Sequence, residues 1–159
     1  MKKKNYGSVM VTKNWEGQEL VFDLDPENVK CECKKRRISE LYKFCEICLE
    51  KTKIKTIKMY EVLGKKFSKI RVVYSGRGYH LHILDKEAFK MSIKQREKLN
   101  KELRKFPIDP WVSRGRLRLI RLPYSLNALV SRITLPLKIK ELERFNPITD
   151  KRVIPKFLR

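Results

Sequence analysis

Apolar residues fall into short runs along this chain, and the runs change period from one to the next. Leu20, Val21 and Phe22 form a continuous apolar run rich in strand formers, which predicts a buried strand ending on Asp23-Leu24-Asp25 before Pro26 stops it. Ile70 to Tyr74 and His80 to Leu84 predict two further buried strands, with Ser75-Gly76-Arg77-Gly78-Tyr79 as the turn between them. From Leu49 to Phe67 the period lengthens. Ile54, Ile57, Tyr60, Leu63 and Phe67 recur at three and four with lysines between, predicting an amphipathic helix that Gly64 closes. Asp85 is placed to cap a short helix to Met91, and Ser92 with Gln95 forms a capping box for a helix through Ile93, Leu99 and Leu103 to Phe106. Ser131 to Leu137 reads as a further strand, and the stretch from Glu141 to Arg159, broken by Pro147 and Pro155, as a peripheral element. The lead-in, residues 1–18, reads as irregular or as one short strand.

Charge changes the picture most. The 159 residues, enough for one domain with a real core, carry 39 Lys plus Arg against 18 acidic residues, a formal net charge of +21 spread along the whole chain. The natural partner of such a field is a polyanion. A membrane surface would qualify, but no run approaches the ~20 apolar residues of a spanning helix, so no membrane partner is expected. Lys2 to Lys4 are followed by no apolar signal-peptide core, and the expected location is the cytoplasm, associated with the nucleoid.

Three groups of residues could carry chemistry. Side chains alternate along a strand, so Asp23 and Asp25 project from one face with Cα atoms ~6.6 Å apart at ~3.3 Å per residue, close enough to converge on a divalent cation. Without a cation the two like charges repel. All four cysteines, Cys31, Cys33, Cys45 and Cys48, follow in a C-x-C-x11-C-x2-C pattern. Two close thiolate pairs in a cytoplasmic protein match a tetrahedral all-sulfur zinc site, a knuckle spanning 31–48 that would hold Lys34, Lys35, Arg36, Arg37 and Lys43 outward. In the turn at 75–80, two glycines let backbone N–H groups approach an anion, and Ser75, Arg77 and His80 add a hydroxyl, a guanidinium and an imidazole suited to a triphosphate. His82 lies on the same strand face as His80 and reads equally as a core histidine or as a supporting one.

These pieces, in this order, resemble the catalytic small subunit of the archaeal and eukaryotic DNA primases, the archaeo-eukaryotic primase superfamily, in a compact form. The matching motifs are Glu19-Leu-Val-Phe-Asp-Leu-Asp25, the cysteine cluster, Ser75-Gly-Arg-Gly-Tyr-His80, and a final block. That block holds Asp109 and the run Leu119-Ile120-Arg121-Leu122-Pro123-Tyr124-Ser125-Leu126-Asn127. The resemblance covers about Glu19 to Asp150. It implies an α/β (α+β) fold, a mixed or antiparallel sheet flanked by helices with the zinc knuckle embedded, in one catalytic domain over residues 1–159. It further implies that Asp23, Asp25 and Asp109 hold two catalytic Mg²⁺ or Mn²⁺ ions, and that Ser75, Arg77 and His80 bind the triphosphate. Arg121 and Asn127 would complete the nucleotide pocket, with one structural Zn²⁺ on Cys31, Cys33, Cys45 and Cys48. Two departures stand out. The phosphate motif has one arginine where many relatives have two, and Ala128-Leu129-Val130-Ser131 replaces a frequent Lys-Thr-Gly.

The implied activity is template-dependent synthesis of primers from nucleoside triphosphates on single-stranded DNA, with a large, iron–sulfur-bearing primase subunit as a candidate partner. Two other readings fit the residues: a repair or plasmid primase–polymerase that mainly extends ends, and a non-catalytic zinc-knuckle protein that binds nucleic acid.

Overall fold

A computed structural model of the chain describes residues 16–30, 45–114 and 119–159. Its centre is a five-stranded antiparallel sheet in the order β4-β1-β3-β2-β7. The strands are β1 (Leu20–Leu24), β2 (Ile70–Tyr74), β3 (Tyr79–Ile83), β4 (Ile108–Asp109) and β7 (Leu135–Leu137), while β5 (Leu126–Asn127) and β6 (Arg132–Ile133) form a separate two-stranded ribbon. The helices are α1 (Glu46–Gly64), α2 (Lys86–Phe89), α3 (Ile93–Glu102), α4 (Pro110–Arg114) and α5 (Ile139–Leu142). This is the expected α+β class, with the sheet wholly antiparallel.

Strand alternation sorts the residues onto two faces. Leu20, Phe22 and Leu24 of β1, Tyr79, Leu81 and Ile83 of β3, Val72 and Tyr74 of β2, and Leu135 and Leu137 of β7 are buried together, and helix α1 packs against β3. The opposite face carries Asp23, His80, His82, Arg71 and Asp109, brought side by side by register.

Several elements depart from their expected form. Helix α1 starts three residues earlier than its apolar periodicity, and its buried stripe is Cys48, Leu49, Thr52, Lys53, Thr56, Met59 and Leu63 rather than one through Ile54, which is exposed. Two threonines hide that stripe. Each is buried by donating its hydroxyl to the carbonyl one turn back, Thr52 to Cys48 O at 2.7 Å and Thr56 to Thr52 O at 2.9 Å. Gly64 is the last helical residue, but Lys65 after it keeps a right-handed conformation, so the helix ends without a left-handed glycine cap. Asp85 precedes α2 without capping it, because its carboxylate instead accepts from Ser68 N, Ser68 Oγ and Lys69 N. The Ser92–Gln95 capping box forms with both bonds, and α3 stops at Glu102, short of Phe106.

The stretch expected as one strand from Ser131 to Leu137 is two. Thr134 breaks it by bonding across to the 124–125 backbone, so β6 joins β5 while β7 joins the main sheet. The C-terminal stretch is not peripheral. Leu142, Phe145 and Val153 are almost wholly buried in the main core, and Lys53 reaches from α1 to the carbonyls of Glu143 and Phe145.

Candidate active site

One transverse row of the sheet sets three of the site residues side by side. Asp23 of β1 is the register partner of Asp109 on β4 and of His80 on β3, so the three lie consecutively across neighbouring strands. Register partners point to the same face and their Cα atoms stand about 4.5–5.5 Å apart. Asp109, more than 80 residues downstream of the first carboxylates, therefore sits beside Asp23. It also does ordinary structural work, because its Oδ1 accepts the Trp111 N–H at 2.8 Å at the start of α4, where Pro110 opens the helix. Ser113 on α4 then donates to Asn100 of α3 at 2.7 Å, anchoring the short helix.

Asp25 follows the end of β1 in extended backbone, its N–H bonded to Pro107 O at 3.3 Å. A cleft of about 270 Å³ opens here, lined by Asp23, Asp25, Glu27, Ser75, Arg77, His80, Arg121 and Asn127. The cleft thus gathers seven of the eight residues expected to hold the catalytic metals or the nucleotide, and Asp109, the eighth, is the register partner of Asp23.

The hairpin between β2 and β3 lies directly on the carboxylate strand. Gly76 takes a φ of 94°, and a Cβ at Gly78 would stand 2.4 Å from the Leu24 carbonyl oxygen, so both glycines are required for this approach. The turn is held from three sides. Gly78 N donates to Ser75 Oγ at 3.0 Å, Tyr74 Oη donates to Gly76 O at 2.6 Å, and Asn127 Nδ2 donates to Ser75 O at 3.0 Å. Arg77 is ion-paired with Glu27, in the single turn of 3₁₀ helix after Asp25. Neither sequence periodicity nor motif spacing signals that pairing.

The electrostatics are those of a site short of positive charge at its acidic end. Burial, then the neighbouring charges of Asp25 and Asp109, push the Asp23 carboxyl up to about 8, against weaker opposing influences from Arg121 and Arg77. Its buried Oδ1 has no hydrogen-bond partner among the described residues. Burial, His82 and Arg121 push His80 down to about 3, so its imidazole is neutral, and the 3.5 Å between His80 Nε2 and Asp23 Oδ1 is not an ion pair. The donor set suits hard divalent cations, which take carboxylate oxygens. Among the described residues no three His, Cys, Asp or Glu side chains are already drawn into a cluster around one point.

Of the expected zinc knuckle, only the second cysteine pair falls among the described residues. Cys31 and Cys33 lie outside the described residues, as does the basic segment between the cysteine pairs. Cys45 caps α1, accepting the Cys48 N–H at 3.5 Å, and Cys48 is buried in the first turn. Cys45 is the N-cap and Cys48 the third helical residue, so both lie within the first turn of α1. His82, left open between two roles, bonds through Nδ1 to Glu19 at 2.9 Å.

An antiparallel sheet with carboxylates on adjacent strands and a glycine-built turn carrying Arg77 at their end defines an α+β protein with a basic turn beside an acidic site. Its similarity to known proteins points the same way. Over 97% of its length it is 46% identical to an Archaeoglobus fulgidus protein described as an uncharacterized DNA primase small subunit-like protein. It is 29% identical over 85% of its length to the DNA primase small subunit PriS of Pyrobaculum arsenaticum, and 41% identical over 59% to PriS of Pyrococcus furiosus. The chain is thus a homologue of proteins named as archaeal DNA primase small subunits. It spans 56%, 56% and 28% of those three relatives, about half their length or less. No family model matches it.

Proposed function

We propose that the chain is a DNA primase catalytic unit, a nucleotidyltransferase that joins nucleoside triphosphates on a single-stranded DNA template. The observation that carries this reading is the row Asp109–Asp23–His80, which sets carboxylates beside an anion-ready turn on one sheet face. Asp23, Asp25 and Asp109 would hold Mg²⁺ or Mn²⁺, supplying the positive charge that the mutual repulsion of these carboxylates calls for. Bound there, the ions supply activation of the attacking hydroxyl and charge stabilisation on the leaving pyrophosphate.

The rest falls to the protein. Ser75, the glycine backbone, Arg77, His80 and Arg121 would grip the triphosphate, with Arg77 exchanging the Glu27 carboxylate for phosphate oxygens. Asn127, whose Nδ2 already braces Ser75 and whose buried Oδ1 lacks a partner among the described residues, would offer that oxygen to a hydroxyl of the nucleotide. At about 270 Å³ the cleft is smaller than most small-molecule sites, enough for the phosphates with the base lying toward the template. The net charge of +21 would hold that template by its phosphates. One structural Zn²⁺ on Cys31, Cys33, Cys45 and Cys48, and a large primase subunit as partner, complete the reading.

Incubating the purified chain with single-stranded template, labelled nucleotides and Mn²⁺ tests it. Products without primer are expected. Products only with primer would make the chain an end-extending polymerase, and template binding with no product in either case would make it a binding module.

A further inference from the structure

One exposed aromatic residue near the cleft sits where a side chain is hardest to accommodate. Among the described residues two that are not glycine take a positive φ, Ser131 at 50° and Tyr124 at 66°. The bulky ring makes Tyr124 the more costly of the two. Leu122, Pro123, Tyr124 and Ser125 form a turn closed by Ser125 N–H, which donates to Leu122 O at 3.1 Å. Proline in the second place and a left-handed residue in the third is the type II pattern, and its third place calls for Gly or Asn. The turn is held firmly. Tyr124 N–H donates to Thr134 O at 2.7 Å, Thr134 N–H to Ser125 O at 2.9 Å and Ser125 Oγ to Leu122 O at 2.6 Å, with Thr134 itself buried.

None of these bonds uses the ring of Tyr124, and a glycine there would keep them all. The ring is 71% exposed, and its hydroxyl has no hydrogen-bond partner among the described residues. The fold therefore bears the strain without using the side chain, and strain of this kind gathers at functional sites. Its place in the chain says which site. Arg121 and Asn127, the third residues before and after Tyr124, both line the cleft. Three residues reach at most about 11 Å, so the ring is carried on the rim, just outside the space that phosphates would fill. Leu122 and Leu126, also exposed, make the stretch that follows Arg121 an apolar one.

A partner with negative charge for Arg121 and a flat apolar face for Tyr124 is single-stranded nucleic acid, whose unpaired bases stack on aromatic rings. We propose that Tyr124 is a stacking platform for one unpaired base of a DNA strand lying across the mouth of the cleft. The fixed turn presents the ring already ordered, so little conformational freedom is lost when a base settles on it. Only the identity of the strand rests on the primase reading, since the contact itself needs neither nucleotide nor metal.

The test is binding of labelled oligo(dT) to the full chain in EDTA, without nucleotide. Tyr124→Ala should weaken binding roughly tenfold, and Tyr124→Phe should stay within about twofold of the native chain. The salt dependence of affinity should be the same in all three, because no phosphate contact is removed. Tyr124→Gly should bind as poorly as the alanine variant while its Tm is unchanged or higher, because the left-handed backbone is relieved. On a strand of abasic sites, native chain and Tyr124→Ala should bind alike. Irradiation of a strand carrying 5-iododeoxyuridine should crosslink it to Tyr124, read by peptide mass. No binding by the native chain, unchanged affinity in Tyr124→Ala, or an equal loss on the abasic strand would overturn the contact, the second outcome leaving the ring to a protein partner. A chain that makes no primers yet shows Tyr124-dependent binding defeats the proposed activity alone. One that makes primers while Tyr124→Ala binds as native defeats the stacking contact alone.

Discussion

The two faces of the central sheet are built on opposite terms. On the α1 side, Leu20, Phe22, Leu24, Leu81 and Val72 are buried against one another with no polar atom to satisfy. On the other side, the same strands bury Asp23 Oδ1, His80 Nδ1 and His82 Nε2 without a hydrogen-bond partner among the described residues. Alternation makes this possible, since adjacent residues of one strand serve different faces. Burial of an unpaired polar atom costs about 1–3 kcal/mol, so the second face draws on stability that the first supplies. The proposed site lies where the fold is least comfortable.

The sharpest test of that contrast is Asp109→Asn. It should lower synthesis by about three orders of magnitude or more, equivalent to about 4 kcal/mol in the barrier, while leaving circular dichroism and single-stranded DNA binding near native values. Substantial residual synthesis would remove Asp109 from the chemistry. Phe22→Ala, one residue from Asp23 but on the other face, should do the reverse. A loss of about 3–5 kcal/mol in denaturant unfolding is expected from the cavity it leaves, and a near-neutral result would mean that the apolar face is not what holds the sheet.

Arg77→Ala comes next. Loss of a charge-assisted contact should raise KM for nucleotide by the equivalent of about 1.5–3 kcal/mol, far more than it weakens DNA binding; equal losses would place the turn on the template path. A smaller effect concerns pH. The Asp23 carboxyl is held near 8 in the folded chain, well above its usual range, so the unfolded chain loses this proton first as pH rises. With a chelator present, this group should lower stability progressively from about pH 4 to pH 8, and Asp23→Asn should flatten that slope and raise Tm at pH 8. A steeper fall in the variant would contradict the sign. For the cysteines, elemental analysis of protein purified without added metal should find one zinc per chain, and Cys45→Ser should lower Tm while the carboxylate site is unaffected.

The three central strands were legible because each is a short apolar run of strand formers, Ile70–Tyr74 residue for residue and the third shifted by one to Tyr79–Ile83, whereas the two-residue strands β4 and β5 carry no such run and the expected Ser131–Leu137 strand is split. Asp109 was a different matter. By itself it is an Asp before a proline, and only resemblance to a family motif singled it out; the register then put it beside Asp23. What stayed hidden was non-local or disguised. Glu27 meets Arg77 and Glu19 meets His82 across 50 and 63 residues, and nothing in local composition encodes such pairs. The buried stripe of α1 was masked by Thr52 and Thr56, which satisfy their hydroxyls within the helix. Leu142, Phe145 and Val153 enter the core from a segment whose charges and prolines suggest a surface tail.

The row across β4, β1 and β3 also works as a ruler. Neighbouring strands in a hydrogen-bonded sheet stand about 4.8 Å apart, so the spacing from Asp109 to Asp23 to His80 is set by the ladder and owes nothing to the length of the segments that join the strands. Segments can therefore be gained or lost between strands over evolutionary time without retuning the chemistry, provided that they enter at the ends. A deletion of one residue inside β1 is another matter. It would turn Asp23 into the oily layer and Phe22 or Leu24 out toward the cleft, so the same sheet that tolerates large insertions at its borders forbids the smallest change within.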